Sequence, residues 1–373
     1  MMYRWPIMIL LLGFIFVIHC AHAPQISEPI AISAEDEFRR GKASLDQGDW
    51  ERAAVCFNRA LKANPNYSEA YAELAYILAL RNHPEKAIDY VNCAVRKNER
   101  SAASQIMKGR IFIMIQPALW FENAQHALNR AIELDPSNQE ALYYQAEAYL
   151  QHQNLPESAA ALKQLVERQG AYAEAASARL DYVEAKIKAS PRSEVGDKLV
   201  DLKVITRADL AALLVAELGL HHLINRRNPN AYNQTTRQKL SNAPVLHIRD
   251  IAGHWAEDYI QEIVELQVMD IFPDHSFHPQ ETVSRVQMAM TLQQAVISIS
   301  GDLSLDTAYI GKSTSFVDLK PTHYAFNAVC LMDEKGIMQG NPLTGEFDLN
   351  SPINGIDALI SIRALERIFN SNR

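Results

Sequence analysis

The chain has 373 residues, enough for two or three domains of ordinary size. With 48 % hydrophobic residues and a net charge of −8, it is too apolar for a disordered chain, and no run of Lys or Arg offers a surface for nucleic acid. Only 14 glycines favour helices over turn-rich sheet, and no H-E-x-x-H, G-x-S-x-G or paired Cys/His signature occurs, so no enzyme, metal or cofactor is expected.

The first element is a targeting segment. Arg4 precedes an apolar run from Ile7 to Ile18 that only Gly13 interrupts. The run is shorter than the roughly 20 residues a membrane span needs, and it reads as an export signal over residues 1–19. Val17-Ile18-His19-Cys20 resembles a lipoprotein cleavage box, which implies lipidation at Cys20 and a membrane anchor; His19 stands where that box usually has a small residue. Ala21-His22-Ala23 offers an ordinary cleavage site instead, followed by Pro24, and an uncleaved anchor is a third exit. Residues 20–33 form a linker. Cys56, Cys93 and Cys330 lie outside any C-x-x-C pair, and Cys56 and Cys93, on helices among apolar neighbours, read as small buried hydrophobes.

From residue 34 a period of 34 residues governs the pattern. Gly41, Ala53, Phe57 and Ala60 are matched by Ala75, Ala87, Val91 and Ala94. A third copy has Gly109, Ala124, Leu128 and Ala131, with three extra residues near Gln116-Pro117 in its inter-helix turn. A fourth, degenerate copy has Ala146, Ser158 and Leu162. Small residues let paired helices cross closely, larger ones fill the space between, and Pro65 and Pro136 end their helices. This pattern over about 34–170 resembles the tetratricopeptide repeat. The resemblance implies a helical-hairpin solenoid with a concave groove that takes a protein or peptide partner. Helical offsets assign that face Phe38, Lys42, Tyr76, Ile106, Arg110, Ile113, Tyr143 and Glu147. The Lys/Asn set with which some relatives clamp a C-terminal carboxylate is missing. Residues 171–192 predict a helix that either caps the solenoid or opens the next domain.

Residues 193–373 follow a different period. His254-Trp255-Ala256 aligns with His323-Tyr324-Ala325, Phe277 with Phe347, and Val283 with Ile353. Each copy is an amphipathic helix, a loop rich in Pro, Asp and Gly, and a second amphipathic helix, with Ser284 as N-cap of one of them. The D-x-x-x-H-W-A start, the F-P-D-x-x-F-x-P loop and Ser284-Arg285-Val286-Gln287 resemble the S-layer homology repeat. A strong copy covers 246–299 and a divergent one 312–368, with Asn354-Gly355 where the arginine motif belongs. A partial copy at 193–220 keeps Thr206-Arg207, and its front half, over 173–204, is hardly recognisable. The polar stretch 221–245 reads as a loop.

The resemblance implies a pseudo-threefold bundle whose grooves bind cell-wall or envelope glycan. Arg207, Arg285 and Trp255 are the candidate contacts, with Asp274 and His254 in support. An arginine fork suits a carboxylate, and a Trp face suits a sugar ring. The expectation is an all-α, exported, non-catalytic envelope adaptor at the membrane or cell surface. The alternative is an assembly factor for a pilus or secretion complex, with a purely structural C-terminal module. Gly311-Lys312-Ser313 lacks the glycine of a phosphate loop, and His275 and His278 read as surface residues.

Overall fold

The computed structural model describes residues 33–229 and 247–370. The export segment and Cys20 lie outside the described residues. Among those residues no helix is long and apolar enough to cross a membrane. The fold is all-α, with isolated bridges in place of strands. It divides into two compact units, one ending at Ile115 and one beginning at Gln116.

The first unit holds helices α1 (Ala34–Asp46), α2 (Trp50–Ala63), α3 (Ser68–Leu80), α4 (Pro84–Lys97) and α5 (Ala102–Ile115). Ser33 caps α1 by accepting from the Asp36 N–H, Asp49 caps α2 through the Arg52 N–H, and Pro84 opens α4 where no N–H is needed. The small positions do what the repeat pattern requires. Gly41 lies so close to the Phe57 ring that an added Cβ would sit 2.4 Å from it. Ala53, Phe57, Ala75, Ala87 and Val91 are all fully buried. Cys56 is buried, as expected, whereas Cys93 is only partly so.

In the second unit α6 (Trp120–Leu134), α7 (Gln139–Gln151), α8 (Leu155–Glu167) and α9 (Ala173–Ala189) pack in sequence. The three extra residues of the third copy are not confined to its turn. The turn gains one residue (116–119 against 81–83), and α5 and α6 each gain one relative to their counterparts. The degenerate fourth copy works because Ser158, fully buried, donates its hydroxyl to the Ala146 carbonyl at 2.9 Å.

The remaining helices are α10 (Glu194–Leu199), α11 (Arg207–Ala212, continued by a wider turn to Glu217), α12 (Leu220–Arg227), α13 (Glu257–Glu265), α14 (Arg285–Ser300), α15 (Phe326–Glu334) and α16 (Gly355–Asn370). The stretch 221–245 is therefore not all loop. Leu220, Leu223 and Ile224 bury one face of α12. Its continuation from 230 to 246 lies outside the described residues.

Three backbone hydrogen bonds close this part of the molecule on itself. The Ile205 N–H donates to the Ile353 carbonyl, Ile353 to Val283, and Val283 to Ile205, at 2.9, 2.9 and 3.0 Å. The helices repeat the cycle: α11 packs on α13, α14 on α15, and α16 on α9. Helix α9 thus takes the place of the first helix of the partial copy while also packing on α8. Ala176 and Val183 join the core of the repeats, and Ala189 joins that of the bundle. The two roles left open for this helix in the sequence are filled together.

Candidate functional site

The motif arginines occupy the first turn of their helices. Capping boxes hold both starts, Thr206 with Asp209 and Ser284 with Gln287. Arg207 donates from Nε to the Phe277 carbonyl and from Nη2 to the Asp270 carbonyl, both at 2.9 Å. Arg285 repeats the arrangement on Phe347 and Gln339, at 2.8 and 2.7 Å. Each guanidinium also lies over a ring, Arg207 at 4.6 Å from Phe277 and Arg285 at 4.8 Å from Phe347. Burial holds Arg207 below its ordinary pKa, against the pull of Glu281, Asp270 and Asp250. Each arginine straps the loop of the following copy.

The leading aspartate of each copy ties the same loop from within. Asp250 accepts from the Phe277 and His278 N–H groups at 2.8 Å, and Asp318 from those of Phe347 and Asp348 at 2.8 Å. His254 and His323 each accept from the N–H two residues on, at 3.2 Å. Asp274 is spent on its own turn with Ser276. The supporting residues expected from the motif are thus engaged by neighbouring groups.

Burial alone would raise the pKa of Asp318, but the N–H groups of Phe347, Asp348 and Leu349 hold it below the ordinary carboxylate value. A depressed folded pKa adds stability that is present above the unfolded value of about 3.9 and is lost as pH falls through the folded one. Protection of the Phe347 and Asp348 amides, taken relative to their intrinsic exchange rates, should therefore fall below about pH 4, and Asp318→Asn should blunt the change. An unchanged exchange profile in that window would count against this anchor.

The aromatic of the H-W-A motif is free of these duties. Trp255 is 55 % exposed, so it is not core, and Tyr324, its counterpart, is 72 % exposed. A cleft of about 650 Å³ brings together Arg207, Asp270, Phe272, Met290, Gln294 and Tyr324. Of the residues expected from sequence to touch glycan, Arg207 lines this cleft; Arg285, Trp255, His254 and Asp274 do not. The cleft also brings in Tyr324, Asp270 and Gln294, which the sequence does not single out. The alignment of Tyr324 with Trp255 was the available signal.

The expected partner face of the repeats is largely occupied. In the first unit Phe38 packs between Phe57 and Tyr67, at 5.5 and 5.0 Å between ring centroids. Lys42 pairs with Glu73 at 2.7 Å, and the Arg110 guanidinium lies 4.5 Å over the Tyr76 ring. Ile106 and Ile113 are buried. In the second unit Tyr143 packs on Tyr172, and Glu147 is buried against Arg179 of α9, which grips both its carboxylate oxygens. Tyr143 and Tyr76 keep part of their surface open.

Residues 38–103 and 121–174 match the tetratricopeptide repeat family, and residues 247–289 match the S-layer homology domain. The chain carries tetratricopeptide repeats and an S-layer homology domain. A curated relative, the protein O-mannosyl-transferase Tmtc3 of Drosophila melanogaster, is 24 % identical over 126 residues, 34 % of this chain and 13 % of that protein. The chain thus spans about an eighth of that relative's length. Among solved structures, a thermophilic tetratricopeptide protein of Thermus thermophilus is 17 % identical, covers 55 % of this chain and 96 % of its own, and gives a TM-score of 0.37. The MamA protein is 21 % identical, covers 42 % and 88 %, and gives 0.31. The tetratricopeptide module is of the protein-interaction type, and the S-layer homology domain is of the wall-binding type that associates with the cell envelope; both families are non-catalytic.

Proposed function

We propose that the chain is an exported adaptor of the cell envelope. Its S-layer homology region docks on wall or envelope glycan, and its tetratricopeptide repeats hold a protein partner. The observation that carries this reading is the cleft of about 650 Å³, which the exposed Tyr324 lines together with Arg207, Asp270 and Gln294. An exposed ring beside hydrogen-bonding groups is how a protein takes a sugar face and its hydroxyls together. Trp255 supplies a second exposed ring at the matching position of its own copy. Lipidation at Cys20 would add a membrane anchor to the same scheme.

The full chain should sediment with sacculi of its own organism, and Tyr324→Ala should weaken binding by about tenfold, the effect of losing an aromatic anchor. A wild-type chain that stays in the supernatant would overturn the docking role. One observation favours the second reading, an assembly factor for a pilus or secretion complex: both motif arginines are spent on backbone carbonyls of the neighbouring copy. Failure to sediment, together with capture of a pilus or secretion component by the repeats, would move that reading to first place.

A further inference from the structure

A second pocket carries the opposite charge. It has a volume of about 540 Å³ and lies between the C-terminal end of α9 and the C-terminal half of α16. Among the described residues four cationic side chains line it, Lys188, Arg192, Arg363 and Arg367, together with one carboxylate, that of Glu366. This concentration of positive charge occurs in a chain whose net charge is −8.

The four cations differ in how they are held. Arg363 is 6 % exposed. Its Nε donates to the Ala189 and Ser190 carbonyls at 3.3 and 3.2 Å, its Nη1 to Glu366 at 2.8 Å, and its Nη2 meets Glu217 beneath. Arg192 reaches the same Glu366 at 2.7 Å. The two guanidinium groups of Arg192 and Arg363 are thus matched by two carboxylates, Glu366 and the buried Glu217. Burial lowers the Arg363 pKa first; Glu366 opposes this, and repulsion from Arg192 adds to it. Lys188 and Arg367 are exposed and meet no carboxylate among the described residues; Arg367 only donates Nε to the Arg363 carbonyl at 3.3 Å. The charge of Lys188 and Arg367 is thus left uncompensated beside a preformed concavity.

A guanidinium fork and an ammonium together match a tetrahedral oxyanion, which offers several acceptor oxygens at once and more than one negative charge. The volume exceeds that of a bare ion, so there is room for the molecule that bears the group. The glycan cleft has the reverse balance, with Asp270 and Asp306 against Arg207. We propose that the α9–α16 pocket binds a phosphoryl group, engaged by Lys188 and Arg367 beside the paired Arg192 and Arg363. The site is separate from the glycan cleft and does not depend on it.

The test uses the full chain. Inorganic phosphate is titrated at constant ionic strength against chloride, with heat of binding and thermal melting as readouts. The wild type should bind, and Lys188→Gln/Arg367→Gln should bind about tenfold more weakly or worse, as expected for lost hydrogen bonds to a charged partner. Both residues are exposed, so the variant should melt like the wild type in chloride alone. Flotation with phosphatidylglycerol but not phosphatidylcholine vesicles, lost in the variant, would assign the group to a lipid headgroup. Phosphate binding without flotation would assign it to a soluble phosphoryl compound. A wild type indifferent to both probes, or a variant that responds like the wild type, would overturn the proposal.

Discussion

Arg363→Ala should destabilise the second unit by about 3–5 kcal/mol, seen as a lower midpoint in a denaturant titration. The Glu217 side chain is fully buried, and Arg363 is its cation. Removing the arginine leaves the carboxylate with the N–H groups of Arg192 and Ser193, at 2.8 and 2.9 Å, and the Ser193 hydroxyl. Those are dipoles, and a buried charge without a counter-ion is costly. The same change frees the last carbonyls of α9, which Arg363 now satisfies. Glu217→Gln/Arg363→Met should recover much of the loss, because it removes both members of the buried pair. A loss below about 1 kcal/mol for Arg363→Ala would mean that this pair does not hold the seam.

Gly355→Ala should be nearly as damaging, at about 3 kcal/mol, and Gly355→Arg should be worse. An added Cβ would lie 1.8 Å from the Leu199 carbonyl oxygen, and that atom belongs to backbone that cannot swing aside. The Gly355 N–H also donates to the Leu202 carbonyl at 2.8 Å, which holds the two segments together. The third copy thus lacks its arginine because its first turn is pressed directly on the partial copy. Restoring the motif residue there would open the contact. A Gly355→Ala chain that melts like the parent would show that this approach relaxes freely.

The repeat register was legible because it is a steric code written in residue types. Gly41 must be small since Phe57 is large, and Ala53 and Ala60 of the facing helix are fully buried. The strong S-layer homology copy was legible for a similar reason: Ser284 and Gln287 cap each other, and that exchange needs those side chains. Helix α9 hid its second role because it serves two cores in turn and has no D-x-x-x-H-W-A preface. What the arginines hold was hidden for a different reason. Their acceptors, the carbonyls of Phe277, Asp270, Phe347 and Gln339, are backbone atoms, which no residue type announces. The internal pairs on the partner face were not legible where the counterpart lay elsewhere in the chain, as Glu147 shows with Arg179.

Helix α9 also limits how such a chain can grow. Tetratricopeptide arrays lengthen by duplication of whole hairpins, and any new hairpin must find a neighbour that repeats the old contact. At the C-terminal end that neighbour is already committed, since α9 is held to α7 by Arg179 and Glu147 and to α16 by the Arg363 guanidinium. A hairpin inserted after α8 would have to break one seam to make another. Duplication is therefore disfavoured at this end, where the array has a fixed terminus. The same helix sets the smallest piece that can be cut out and still close its ring. A fragment that begins after Ala189 leaves α16 without its mate, so a soluble C-terminal half must start no later than Ala173.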